Sequence, residues 1–126
     1  MDATASTPTV DALEGKRIKF YRAFLVATIL NNLFLAYLGL GTASDPKWAA
    51  VPGWVPQTLG ALGAATVVFA GIALANRKLG AIGVVVAGLG AVGVFLSIGE
   101  VTFALPFLFG TAFWAFIAKR NWYRLV

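Results

Sequence analysis

The chain has no cysteine and no histidine. The first absence excludes disulfides, thiolate metal sites and thiol redox chemistry. The second removes the commonest general base and the commonest transition-metal ligand. Charge is scarce too: 12% of residues are charged, against about 25% in ordinary soluble domains. Enzymatic chemistry needs acids, bases or nucleophiles held together. Here the ionisable residues collect at the ends of apolar runs, and the expectation is a non-catalytic protein with no cofactor and no metal.

What is abundant is apolar sequence. Sixty per cent of the 126 residues are hydrophobic, and they fall into four long runs at about residues 20–40, 57–75, 79–98 and 102–120. Helices of some 18–20 apolar residues cross a hydrocarbon core roughly 30 Å thick. The expected fold is therefore an all-α integral membrane protein, a four-transmembrane-helix bundle occupying residues 11–126 as a single domain. Residues 1–10 are small and polar and are expected to form a disordered cytoplasmic tail. They do not make a signal peptide, because Asp2 stands where a positive charge belongs and no short apolar core follows at once. Asp11, with Glu14 three residues on, has the spacing of a capping box and predicts the start of the first helix.

Cations and aromatics frame the runs. Lys16, Arg17, Lys19 and Arg22 accompany Phe20 and Tyr21 ahead of the first span, and Lys119, Arg120, Trp122, Tyr123 and Arg124 close the fourth. Both sets read as interfacial anchors, with long stems on apolar surface and charges in water. The connection over residues 41–57 holds Pro46, Pro52 and Pro56, so it cannot be one helix. Ser44 or Asp45 is placed to cap a short helix there, with Trp48 and Trp54 anchoring an interfacial Trp/Pro-rich loop between helices 1 and 2. At the far end, the fourth span begins either after Gly99-Glu100, with Pro106 kinking it, or at Pro106 itself.

The net charge of +5 is distributed for a membrane rather than for nucleic acid. Four spans place Lys16, Arg17, Lys19, Arg22, Arg77, Lys78, Lys119, Arg120 and Arg124 on one side, and leave only Lys47 of the ten cations on the other. By the positive-inside rule both termini are cytoplasmic, and the expected location is the cell inner (plasma) membrane as a multi-pass protein.

Eight of the fourteen glycines lie between residues 59 and 98, in two runs hinged at Asn76-Arg77-Lys78. Each costs a soluble helix about 1 kcal/mol against alanine. In lipid, small residues instead let helix backbones approach. Gly80, Gly83, Ala87, Gly90 and Ala91 of the third span form the expected helix-packing face. At membrane depth the polar residues are Thr28, Asn31 and Asn32, of which Thr28 and Asn32 share a face at a spacing of four. They and Glu100 are candidates for a polar pathway or for contacts between helices. In the fourth span Phe109, Phe113 and Phe116 make one aromatic stripe, and Phe103 and Phe107 make another with Gly110 and Trp114.

Two functions fit these residues. One is an accessory or assembly subunit that packs on other membrane proteins, or on itself, through glycine-rich faces. The other is a small oligomeric transporter or channel for a small solute or ion, using the mid-membrane polar residues of the first span. The expected partners are the lipid bilayer and other membrane subunits or further copies of the chain, with no nucleic acid.

Overall fold

A computed structural model describes residues 10–41, 46 and 50–126, with side chains from residue 13 onward. Trp48, Ser44, Asp45, Lys47 and residues 1–9 lie outside the described residues, and with them the disordered tail, one expected anchor and the capped loop helix. The described residues are helical, with no strand among them. Helix α1 spans Val10–Ala36, α2 Trp54–Leu74, α3 Lys78–Ser97 and α4 Val101–Asn121. Four segments, Leu13–Gly41, Trp54–Leu74, Lys78–Ser97 and Val101–Arg124, are long and apolar enough to cross a membrane, which makes this a multi-pass membrane protein. Only helices satisfy every backbone polar group internally at that depth in a chain of this pattern. Large apolar side chains such as Leu30, Phe34, Val68, Val86 and Phe109 point outward, as lipid contact requires.

The start of the first helix differs from expectation. Helix α1 opens at Val10, so Asp11 lies inside it rather than ahead of it as a cap. At its far end the chain widens into a π turn at Tyr37–Gly41. That wider turn sets Gly39 against the backbone of Pro56 and Gly60 on α2, a spacing with no room for a Cβ. Helix α4 starts at Val101 and contains Pro106 as its sixth residue, so Pro106 is not its first. The proline has no N–H to donate to the carbonyl of Thr102.

The turns between helices have clear causes. After α3, Gly99 takes φ +77. Its N–H donates to Leu96 O at 3.1 Å and the Glu100 N–H to Phe95 O at 2.9 Å, the paired bonds of a Schellman cap. After α2, Asn76 takes φ +61, a left-handed conformation that asparagine tolerates better than most residues.

Asn76 is also where the ends of the molecule meet. Its carbonyl accepts from the Val126 N–H at 2.8 Å, the Val126 carbonyl accepts from the Lys78 N–H at 3.1 Å, and its Oδ1 accepts from Arg124 Nη1 at 3.0 Å. A 3-10 turn at Trp122–Arg124 lets the chain cross beneath the bundle, burying Leu125. Arg124 also bonds Asn121 Oδ1 at 3.0 Å and lies 5.1 Å from the Tyr21 ring centre. Tyr123 donates to Glu14 at 2.8 Å, tying the end of the chain to the first turns of α1. All nine cations other than Lys47 therefore stand at one end of the bundle.

The helices pack mainly in chain order, α1 on α2, α2 on α3 and α3 on α4, while α1 and α4 touch less. The buried core is divided. Near the basic end, Tyr21, Leu25, Ala70, Ala73, Ala81, Val84, Trp114 and Ile117 form one cluster. Tyr21 is thus not an interfacial anchor: it is fully buried, and its hydroxyl donates to Ala73 O at 2.8 Å. Near the opposite end Val55, Leu59, Ala91 and Val94 form a second cluster, with Leu35, Leu62, Phe95 and Phe107 against it.

Candidate functional site

Between the two clusters, at the middle of all four spans, lies a cleft of about 390 Å³. It opens where α1 and α4 part. The two helices meet at the basic end through aromatic contacts, with Phe20 and Phe24 against Phe113, and Phe24 stacked on Trp114 at 5.7 Å. Beyond these contacts α4 presents Pro106, Phe107 and Gly110, and α1 presents Thr28, Asn31, Asn32 and Leu35. The back wall is built of small residues, Ala87, Gly88 and Ala91 of α3, with Leu62 and Thr66 of α2. Short side chains on α3 are what leave the space.

The wall is apolar apart from five uncharged side chains: Thr28, Asn31, Asn32, Thr66 and Thr111. Two of these use their donors on their own helix. Asn32 Nδ2 donates to Thr28 O at 2.9 Å, and Thr66 Oγ1 to Leu62 O at 2.8 Å, both one turn back. Asn32 is only 8% exposed, and this bond leaves its Oδ1 able to accept. No hydrogen bond among the described residues engages the Asn31 amide or the hydroxyls of Thr28 and Thr111. At hydrocarbon depth, a polar group without a partner costs several kcal/mol. The cleft therefore holds both donors and acceptors with unused capacity, and among the described residues no charged one lines it.

The structure brings Thr28, Asn31 and Asn32 together, but Glu100 stands apart from them. Glu100 is exposed at the cap of α4, where its carbonyl accepts from the Ala104 N–H at 3.0 Å and its side chain makes no capping bond. The small residues of α3 divide among three neighbours. Gly80 and Gly83 back onto Ala73 and Phe69 of α2, and Gly90 onto Leu62. Ala87 and Ala91 face the cleft, and Gly88 meets Thr111 of α4. Among the expected anchors, Trp54, Trp122 and Tyr123 are exposed, Trp54 as the first residue of α2, and Lys78 lies 5.1 Å from the Trp122 ring centre. No group of three His, Cys, Asp or Glu among the described residues is arranged to hold a metal.

Two members of the site were missed in the sequence. Thr66 and Thr111 are single hydroxyls in apolar runs, with nothing local to separate them from ordinary lipid-depth threonines. The second aromatic stripe was the available signal, since Phe107, Gly110 and Trp114 are the α4 wall of the cleft. Phe109, Phe113 and Phe116 of the first stripe are exposed. Comparison with protein families, curated proteins and solved structures finds no match for this chain.

Proposed function

We propose that this protein is a small carrier or transporter that takes an uncharged, partly apolar solute from the bilayer into the cleft between α1 and α4. One observation carries this reading: polar groups with spare hydrogen-bonding capacity converge in an apolar cleft at mid-membrane depth. Pockets of 300–1,000 Å³ with apolar walls and a few convergent polar groups are the usual form of small-molecule sites. A bare ion is a poor occupant, because the lining offers no countercharge in a low-dielectric setting. A neutral molecule with a carbonyl, hydroxyl or amide head fits, its head on Asn31, Asn32, Thr28 and Thr111 and its body along Phe107 and Leu35.

The test uses Gly110, which lines the cleft and has open space where a Cβ would project. Gly110→Phe is expected to fill the cleft while leaving the fold intact. Organic extracts of gently solubilised protein should contain a neutral small molecule enriched in the wild type and at least about tenfold depleted in Gly110→Phe. Asn31→Leu with Asn32→Leu should deplete it by roughly tenfold, the worth of one or two hydrogen bonds. Identical extracts from wild type and Gly110→Phe would overturn the proposal.

The accessory-subunit reading draws on a different observation. Gly71 of α2 and Gly93 of α3 are exposed with nothing within 4 Å of a built Cβ, so the outer surface keeps small residues that another helix can approach. Gly80, Gly83 and Gly90 no longer count toward such a face, being covered by α2. Mass spectrometry of protein chains in the same preparation separates the two: recovery of this chain alone removes the accessory reading.

The proposed orientation has both termini in the cytoplasm and the molecule in the inner (plasma) membrane, supported by nine cations at one end of the bundle. A reporter active only outside the cytoplasm should be silent when fused after Val126 and active when inserted at Pro52-Gly53. The reverse pattern would invert the assignment.

A further inference from the structure

A second groove, of about 340 Å³, runs between the first turns of α1 and the last turns of α4 at the basic end. Its cations are Lys16, Arg17 and Arg120, and its apolar wall includes Phe20, Phe113 and Phe116. Among the described residues, no acidic one lines it. We infer that this groove is a binding site for one anionic phospholipid. The inference needs only that the chain spans a membrane and is independent of the cleft between α1 and α4.

The vertical order of the groove is that of a lipid. On α4, Phe116 lies one turn, about 6 Å, deeper than Arg120. On α1, Phe20 lies one turn deeper than Lys16. The cations therefore stand at headgroup level and the rings at acyl-chain level. The parts are also held in place: Phe20 meets Phe113 edge to face at 6.0 Å, and the Arg120 guanidinium lies 5.6 Å from the Phe116 ring centre. Glu14, the acid nearest in sequence to Lys16, is engaged by the Tyr123 hydroxyl at 2.8 Å. A phosphate oxygen suits the forked donors of arginine, and the apolar wall demands a chain attached to it, which inorganic phosphate lacks. Basic pockets between transmembrane helices are recurrent sites for anionic headgroups.

The test is native mass spectrometry of the purified full-length protein, titrated with phosphatidylglycerol or with phosphatidylcholine of identical chains. The expected result is one saturable phosphatidylglycerol adduct that phosphatidylcholine does not replace. Lys16→Gln, Arg17→Gln and Arg120→Gln should each weaken it roughly fivefold, equivalent to about 1 kcal/mol per cation near the headgroups. Arg120→Lys keeps the charge and should lose less than Arg120→Gln. Lys19→Gln and Lys119→Gln remove cations that do not line the groove and should leave the adduct within about twofold of the wild type. Thermal unfolding of each variant in neutral detergent shows whether it is folded. Equal binding of the two lipids, or equal losses from Lys19→Gln and Arg120→Gln, would overturn the inference in favour of diffuse surface attraction. Displacement by glycerol phosphate at equal concentration would also overturn it, because the headgroup alone would then suffice.

Discussion

Gly80→Ala is expected to destabilise the protein by at least about 3 kcal/mol, while Gly93→Ala and Gly71→Ala leave it unchanged or slightly more stable. A Cβ on Gly80 would overlap main-chain atoms of α2, namely Ala73 N, Phe69 O and Ile72 C. Main chain cannot rotate aside as a side chain does. The helices must separate, and separation forfeits the close van der Waals contact that holds helices together in lipid. Overpacking of a core costs typically about 1–3 kcal/mol where side chains can yield, and Gly80 belongs above that range. Gly83 should be milder, since the obstacle there is the Phe69 ring. Gly71 and Gly93 meet nothing within 4 Å, so alanine there only improves helix propensity, by up to about 1 kcal/mol. Unfolding titrations in detergent should rank the variants Gly80, Gly83, then Gly93. Equal stability at positions 80 and 93 would show that α2 and α3 do not pack in this register.

Trp114→Ala is expected to cost about 3–5 kcal/mol, the range for deleting a large buried aromatic. Trp114 is 1% exposed, and its Nε1 donates to Ala81 O at 3.1 Å, which ties α4 to α3. Its ring stacks on Phe24 and lies 5.3 Å from Tyr21, which ties α4 to α1. It is thus the main bridge across the seam that opens into the cleft, and also one wall of that cleft. Trp114→Phe keeps most of the ring contact and loses the one hydrogen bond, so its expected cost is about 1 kcal/mol. Thermal unfolding of the pair checks both values. If the alanine variant is as stable as the phenylalanine variant, Trp114 does not bridge the helices as described.

The polar residues show how much of the site was readable. Asn31 and Asn32 are conspicuous because amides are costly at membrane depth, and their helix could be placed from the apolar run around them. Their partners could not be. Thr66 and Thr111 come from two other helices, and only the packing of α1 on α2, α2 on α3 and α3 on α4 brings them to one depth. Tyr21 shows the same limit. Beside four cations and Phe20 it resembles an anchor, yet it turns inward to the Ala73 carbonyl. Glu100, a pathway candidate because a carboxylate stands near a span, is placed on the surface by the Schellman turn after α3, apart from the other polar residues.

The amino-acid sequence by itself determined four membrane-crossing helices, their approximate ends and the gathering of cations at one end. Those follow from the thickness of the hydrocarbon core, the need to satisfy each backbone hydrogen bond within its own segment, and the cost of burying charge. Only the tertiary structure decided which small residues face a neighbour and which face lipid, and that the core divides around a polar cleft. The spans are apolar on every side, so hydrophobic periodicity marks no inward face. In lipid, where burial of apolar surface no longer selects a face, the pairing is chosen by steric fit between backbones, and that fit exists only once the helices are side by side.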